Sequence, residues 1–473
     1  MKLARDEPNS SATGAILPVK FLCSSGAVGS GIDLPSFREG LARGPDFVAS
    51  DAGTIDAGPY HLGAGNGAYA YEAIRHDLDI LLSEVPRGTP ILIGSADTAG
   101  GDPHVERTLD VVRDVVSTRK LDPLRVAVIR AEQSKDYLKK MLREGRIRPL
   151  ENAPHFDEDT IERSTRIVGM MGAEPLQEAL GHNVDLVLAG RCSDSALFAA
   201  LPIKRGIPEG LAWHAGKVVE CGTLTCETYR RGTMYGELTQ DHAIITPLGR
   251  DLRCTPQSVA SHSLYENGDP YLHRECSGTL DLTHARFTQH DPVSVKISGS
   301  GYIPADQYSV KLEGVELAGY QTVIVGGIRD PFIIRQFDRW IGEVKAEITE
   351  RVGKLLGNRL AASDWRIDVH AYGRNAVMGG REPKLEEPPH EIGLVVCLSA
   401  PTQELATKIA ELSRQPLLHH PIPEWSGSIT GFACLFNRAY IERGPYWRFC
   451  VHHVVLPHDP MEMFRLDVVT LSA

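Results

Sequence analysis

Ile91-Leu92-Ile93-Gly94-Ser95-Ala96-Asp97-Thr98-Ala99-Gly100-Gly101-Asp102-Pro103-His104 runs from a continuous apolar segment into a loop of small residues carrying three ionisable side chains. A short apolar run that stops at glycines reads as a buried strand ending in a loop. Residues 105–118 behind it have the apolar spacing of a helix, so the stretch predicts strand, loop, helix.

The same order recurs on both sides. Strand-like 19–23 leads into Ser24-Ser25-Gly26-Ala27-Val28-Gly29-Ser30-Gly31, and 47–49 into Ser50-Asp51-Ala52-Gly53-Thr54-Ile55-Asp56. Strand-like 126–129 leads into Arg130-Ala131-Glu132-Gln133-Ser134 and a helix over 135–144, and a helix over 175–179 precedes a strand over 184–189 and Gly190-Arg191-Cys192-Ser193-Asp194. Strands alternating with helices imply βαβ units, so the fold class is α/β: an N-terminal, mostly parallel, Rossmann-like sheet flanked by helices. In such sheets ligands bind beyond the carboxyl ends of the strands, where all five loops lie.

Past about residue 245 the pattern changes. Polar, irregular sequence over 250–291 gives way to strand-like 293–298, 307–312 and 322–325, a long helix over 333–356, strand-like 366–371 and 392–398, a helix over 403–412 and strand-like 449–455. That order predicts a C-terminal α+β domain. The expected organisation is a flexible tail over 1–17, an α/β domain over 18–245, a loop-rich connection over 246–292 and an α+β domain over 293–473.

Composition narrows the function classes. The chain has 473 residues, 42% hydrophobic and 23% charged, which is ordinary for a soluble globular protein. Its 50 Lys and Arg against 61 Asp and Glu leave a formal charge of −11, and no basic block offsets it. That field argues against nucleic acid and anionic membranes as partners. No segment has the apolar length of a membrane span and the N-terminus lacks the apolar core of a signal peptide, so a cytoplasmic location is expected. Nine cysteines without a C-x-x-C pair read as reduced thiols. A chain of this size is expected to form a homo-oligomer.

Three groups of motifs resemble one family. They are Gly94–His104, Gly190-Arg191-Cys192-Ser193-Asp194-Ser195-Ala196, and Trp213-His214-Ala215-Gly216-Lys217-Val218-Val219-Glu220-Cys221-Gly222, joined by Ile328-Arg329-Asp330-Pro331. Together they look like the acyclic terpene utilisation AtuA family, with the resemblance covering roughly residues 18–460. It implies catabolism of branched carboxylic acids and their CoA esters, and a separate small ferredoxin-like partner subunit. It brings no catalytic residues with it.

The residues supply candidates directly. Asp97, His104 and Asp194 are the acid/base candidates, since a carboxylate beside an imidazole can move a proton near neutrality. Asp102 has a second reading as the cap of a helix with Pro103 at its first position, and Asp194 as another cap. Arg191 can clamp a carboxylate or phosphate with two parallel hydrogen bonds, and the following helix N-terminus favours the same anion. Ser95, Gly100, Gly101, Gly26, Gly29 and Asp51 complete the expected substrate-binding set. The Gly26–Gly31 loop resembles a phosphate cradle without the dinucleotide or triphosphate signature, so NAD and ATP are poorly supported. Cys192 reads as a structural thiol rather than a nucleophile.

No cofactor is required by this set. A divalent metal held by Asp51, Asp56, His61, Asp97, Asp102 and His104 is a minority reading without a ligand-spacing signature, and CoA enters only as part of a substrate. Lys217 reads as solvated, and the pairs His419-His420 and His452-His453 as core and surface residues. Two function classes follow: a non-redox lyase, hydratase or isomerase acting on a branched carboxylic acid or its CoA ester, or a non-catalytic acyl-CoA-binding or structural subunit.

Overall fold

The computed structural model describes residues 17–54, 57–422, 424 and 430–473. The expected tail up to residue 16, and Ile55 and Asp56 in the second loop, lie outside the described residues.

Two compact units are present, one reaching to Glu316 and including Phe449–Ala473, the other Leu317–Arg448. The larger is built on a ten-stranded sheet. Its centre holds β1 (Val19–Cys23), β2 (Phe47–Gly53), β3 (Ile91–Thr98), Leu186–Ala189 and β4 (Leu124–Arg130), side by side in that order and all parallel. These are the five strands legible in the sequence.

The expectation of a mostly parallel sheet needs correction. Beyond β1 the sheet continues through Thr233–Leu238, His242–Leu248, Val295–Ser298 and Arg286–Gln289, and beyond β4 through Arg465–Leu471, every added joint being antiparallel. The sheet is therefore mixed and largely antiparallel. For two of the five joints the reason is connection length: the links Leu238 to His242 and Gln289 to Val295 are too short for a crossover, so these strands must fold back as hairpins.

Period-two alternation builds a core on each face of the parallel centre. Leu186, Leu188, Val126, Val128, Ile91 and Ile93 pack on one side with Ile74, Leu78, Val105 and Val112. Val187, Ala189, Ala127, Ile129 and Leu92 pack on the other with Leu176, Leu197, Trp213 and Val218. The Asp102–Arg119 helix shows why its sequence is helical: Val105, Leu109, Val112 and Val116 form one buried stripe at three- and four-residue spacing. The strand-end loops thus sit on a rigid support of parallel strands clamped between helices.

The smaller unit contains the C-terminal part of the long strand Val310–Ile328, paired with Ile392–Ala400, which pairs in turn with Arg366–Tyr372. The helices Phe337–Leu356 and Gln403–His419 line its core through Trp340, Val344, Ile348, Ile409 and Leu417. The single helix expected over 333–356 is two, Pro331–Arg335 and Phe337–Leu356, meeting at Gln336. No helix among the described residues is long and apolar enough to cross a membrane.

Candidate active site

The end of β3 is strained. Ser95, Asp97 and Thr98 have φ of +49°, +48° and +86°, the left-handed region that non-glycine residues rarely enter, at about 1–3 kcal/mol each. The surroundings over-determine this shape: Ser95 N–H donates to Gly190 O at 3.0 Å, and Thr98 Oγ1 accepts from Ala68 N–H at 2.8 Å. Gly100 is required here by contact as well as by its φ of +64°, because a Cβ would lie 2.2 Å from the Arg191 nitrogen. The consequence is that Ser95 and Asp97 enter separate environments with no shared partner.

Ser95 joins the first of these, a buried charge cluster at the ends of β2, β3 and Leu186–Ala189. The Arg191 guanidinium is buried and donates from Nε and Nη2 to Glu313 at 2.9 and 3.3 Å, and from Nη1 to Ser95 Oγ at 3.1 Å. Asp194 lies 3.6 Å from the same guanidinium with its side chain 42% exposed. Burial works against the Arg191 charge, but Glu313, Asp194 and Asp51 together hold its pKa above the usual range. Burial raises Glu313 too, and Arg191 with Lys311 outweighs it, leaving that carboxyl at about 2.

Asp51 and Asp194 behave differently. Burial, then the charge of Asp194, pushes the Asp51 carboxyl well above the usual range, with Arg191 opposing. At Asp194, with its side chain 42% exposed, water weakens the raising effect of burial, and Arg191 and Lys217 oppose it. Asp51 Oδ2 accepts from Gly53 N–H at 3.0 Å, whereas Oδ1 is buried with no hydrogen-bond partner. Behind Asp194, Ser195 Oγ donates to Glu220 at 2.5 Å and Lys217 Nζ donates to the other Glu220 oxygen at 2.6 Å. Burial brings Glu220 up to about 7 despite Lys217, and Glu275 up to about 8 despite a bond from Ser193. Two carboxyls able to hold or release a proton near neutrality, Glu220 and Glu275, therefore belong to this charged cluster.

Asp97 and His104 belong to the second environment. Asp97 Oδ2 accepts from Arg107 at 3.0 Å, and Oδ1 is unpartnered against the Gly67 backbone. Burial raises this carboxyl to about 6, with Arg107 opposing. His104 is fully buried with Nε2 placed on the carbonyls of His61 and Asn66 at 3.1 and 3.2 Å, and burial lowers its pKa to about 4. It is therefore a neutral imidazole that donates from Nε2 to two carbonyls. Asp102 does not cap its helix: Gly101 is the N-cap, Glu132 Oε2 accepts from Asp102 N–H at 2.9 Å, and the Asp102 carboxylate accepts from Arg465 at 2.6 Å. A carboxylate from a neighbouring strand end satisfies that helix terminus more directly than Asp102 can.

These two groups bias stability in opposite directions with pH. From its ordinary 6.5 down to about 4 the unfolded chain takes a proton on His104 that the folded chain refuses, so this contribution fades as pH falls. Between 3.8 and about 6 the folded chain keeps a proton on Asp97 that the unfolded chain releases, so that contribution is lost as pH rises. The stability advantage of the native protein over His104→Gln should shrink by about 3 kcal/mol from pH 7 to pH 4. Thermal unfolding of both proteins across that range reads it, and a pH-independent gap contradicts the assignment.

The glycine loop after β1 is already occupied. Asp77, fully buried on the Tyr71–Glu84 helix, accepts from Gly29 N–H at 2.7 Å, Gly31 N–H at 3.0 Å and Ile32 N–H at 3.1 Å. The protein's own carboxylate thus fills the anion-binding nest. Gly26 serves packing, since a Cβ there would lie 2.9 Å from Cys221 O, and a Cβ on Gly101 would lie 3.2 Å from His104 Nδ1. The solvated reading of Lys217 is corrected: it is 8% exposed on the Glu209–Val219 helix. All nine cysteines are free thiols, and burial pushes Cys192 well above the usual range, in keeping with a structural role. Among the described residues no group of three His, Cys, Asp or Glu side chains is arranged to hold a metal ion. His420, in the smaller unit, sits between Glu347 and Glu343 at 2.9 and 3.1 Å.

Glu313, Asp77, Glu132 and Glu275 escaped the sequence reading. Asp77 had a signal, an acid inside the apolar stripe of Ile74, Leu78 and Leu81, and Glu313 had another, a charge between Leu312 and Val315 in a buried strand. Glu132 and Glu275 had none, because what makes them notable is a neighbour distant in sequence.

No curated protein and no solved structure matches the chain. The family model described as "Acyclic terpene utilisation family protein AtuA" matches residues 96–423, which takes in the last three residues of β3, the Arg191–Asp194 loop and the Lys217–Glu220 pair. The chain belongs to that family.

Proposed function

We propose that the protein is a non-redox enzyme in the catabolism of acyclic terpene-type compounds, a lyase, hydratase or isomerase acting on a branched carboxylic acid or its CoA ester. The role in acyclic terpene catabolism follows the family. The observation that carries the reaction class is the buried Asp51 carboxyl, raised by burial and by the charge of Asp194, with Arg191 opposing and Asp194 itself 3.6 Å from the Arg191 guanidinium. Adding or removing water, or shifting a double bond, beside a carbonyl requires one group to take a proton and another to give one. Two carboxyls in different environments serve those two roles, and a fixed cation steadies negative charge as it develops.

In this reading Asp51 and Asp194 move protons, Arg191 and Ser95 position them, and Ser195–Glu220–Lys217 adjusts the charge of Asp194. Asp97 and His104 support the strained loop. The full chain, incubated in heavy water with short branched carboxylic acids and with their CoA esters, should incorporate deuterium or add water, as read by mass spectrometry. Asp51→Asn and Asp194→Asn should each slow that turnover by about 100-fold or more while unfolding at the native temperature. Tight binding without exchange or addition in the native chain would instead support the ligand-holding subunit.

A further inference from the structure

Beside the proposed proton-transfer groups lies a cleft of about 280 Å³ in the larger unit, whose lining includes Gly31, Gly53, Tyr69, Leu224, Tyr229 and Arg231. Gly53 links it to the buried charge cluster, since its N–H donates to Asp51. Tyr69 does so too: after burial, the charge of Asp51 contributes most to raising its phenol pKa.

Arg231 is the feature left unexplained by the fold. In a chain of net charge −11 it has no carboxylate partner among the described residues, although most of the other arginines of this unit do. Its guanidinium lies beside Gly31: a Cβ there, where φ is +97°, would be 3.7, 3.8 and 4.0 Å from Nη1, Cζ and Nη2. The glycine leaves that side of the guanidinium uncovered, and its five N–H donors meet no carboxylate among the described residues.

We propose that this cleft is the substrate-binding site and that Arg231 anchors the carboxylate of a short free acid there, beside Gly53, whose N–H donates to Asp51 behind the cleft wall. The inference rests on the proton-transfer reading above for the role of Asp51, but not for the binding itself. The ligand class follows from the lining. An unpaired guanidinium beside short apolar walls suits the carboxylate and the branched hydrocarbon of a small acid. Leu224, 54% exposed, and the Tyr69 and Tyr229 rings supply apolar walls for the hydrocarbon part. Arg191 cannot take the anchoring role, because Glu313, Ser95 and the Cys192 carbonyl already engage its donors.

Isothermal titration of the full chain with 3-methylbutanoate, 3-methylbutanamide and 3-methylbutanoyl-CoA tests this. The acid should bind at least about 10-fold more tightly than the amide, and Arg231→Gln should remove that preference, lowering acid affinity about 10-fold or more with the amide unchanged. Arg231→Lys should restore part of it, because a point charge replaces the fork. Arg231 is exposed and unpaired, so the unfolding temperature should not move. Unchanged acid affinity in Arg231→Gln, tighter binding of the CoA ester than of the acid, or no binding of the acid up to about 10 mM each overturns the proposal. If Arg231→Gln weakens acid binding while Asp51→Asn leaves turnover intact, the anchor stands and the proton-transfer reading fails. The converse result fails the anchor alone.

Discussion

Arg191→Met should destabilise the protein by about 3–5 kcal/mol, a fall in unfolding temperature of roughly 5–10 °C. The guanidinium and the Glu313 carboxylate are both about nine-tenths buried, and their bidentate contact is what holds Glu313 ionised inside the protein. Removing the cation strands a buried carboxylate whose remaining charged partner is Lys311 at 3.2 Å. The double variant Arg191→Met/Glu313→Gln should recover more than half of the loss, because it removes the uncompensated charge along with its partner. Thermal unfolding of the two variants decides it: a single-variant loss below about 1 kcal/mol, or a double variant no better than the single, would show that the pair carries little. The same substitution should also raise the proton affinity of Asp51 and Asp194 further, since Arg191 is the main cation opposing their burial.

Asp77→Asn is expected to cost about 3 kcal/mol although the change is nearly isosteric. The carboxylate accepts from Gly29, Gly31 and Ile32 with two oxygens, and an amide offers one oxygen while turning an N–H₂ toward donors. At least one backbone N–H is then left without a partner, and the charge-assisted character of the remaining bonds is lost. Gly29 and Gly31 have φ of +100° and +97°, conformations glycine reaches freely, so it is the Asp77 carboxylate that fixes this loop shape. The expected result is a drop in unfolding temperature of roughly 5 °C, with faster hydrogen exchange at Gly29 to Ile32. An unfolding temperature within about 1 °C of native would mean the nest is held by something other than Asp77.

How much was legible differs between fold and site. The five parallel strands were readable because each is an apolar run stopped by small residues and followed or preceded by helical spacing. The antiparallel flanks were not, because the Thr233–Leu238 and His242–Leu248 hairpin and the pair Arg286–Gln289 and Val295–Ser298 mix polar and apolar residues in segments too short for periodicity to decide. Arg465–Leu471 joins β4 from the far end of the chain, and nothing local announces such a partner.

Among the candidate site residues, Asp51, Ser95, Arg191 and Asp194 lie together, and Asp97 with His104 lies apart. Sequence alone placed all of them at strand ends, and could do so because that position follows from strand and loop boundaries. It could not separate them, since the separation comes from positive φ at Ser95 and Asp97, a conformation that their side chains do not favour and that packing imposes. Likewise the glycines after β1 announce a nest for an anion, but that Asp77 fills it depends on a helix forty-six residues away folding against the loop.

The sequence by itself determined the strand-loop-helix pattern, the parallel centre, the family and the positions where chemistry can sit, because these depend on local periodicity, turn-forming residues and motif spelling. The tertiary structure alone decided which charges are buried and which partners they have: Arg191 with Glu313, Asp77 with the glycine loop, Lys217 with Glu220, and Arg231 with no carboxylate at all among the described residues. Burial and pairing depend on what the rest of the chain brings within a few ångströms, and that proximity is written in no single stretch of residues.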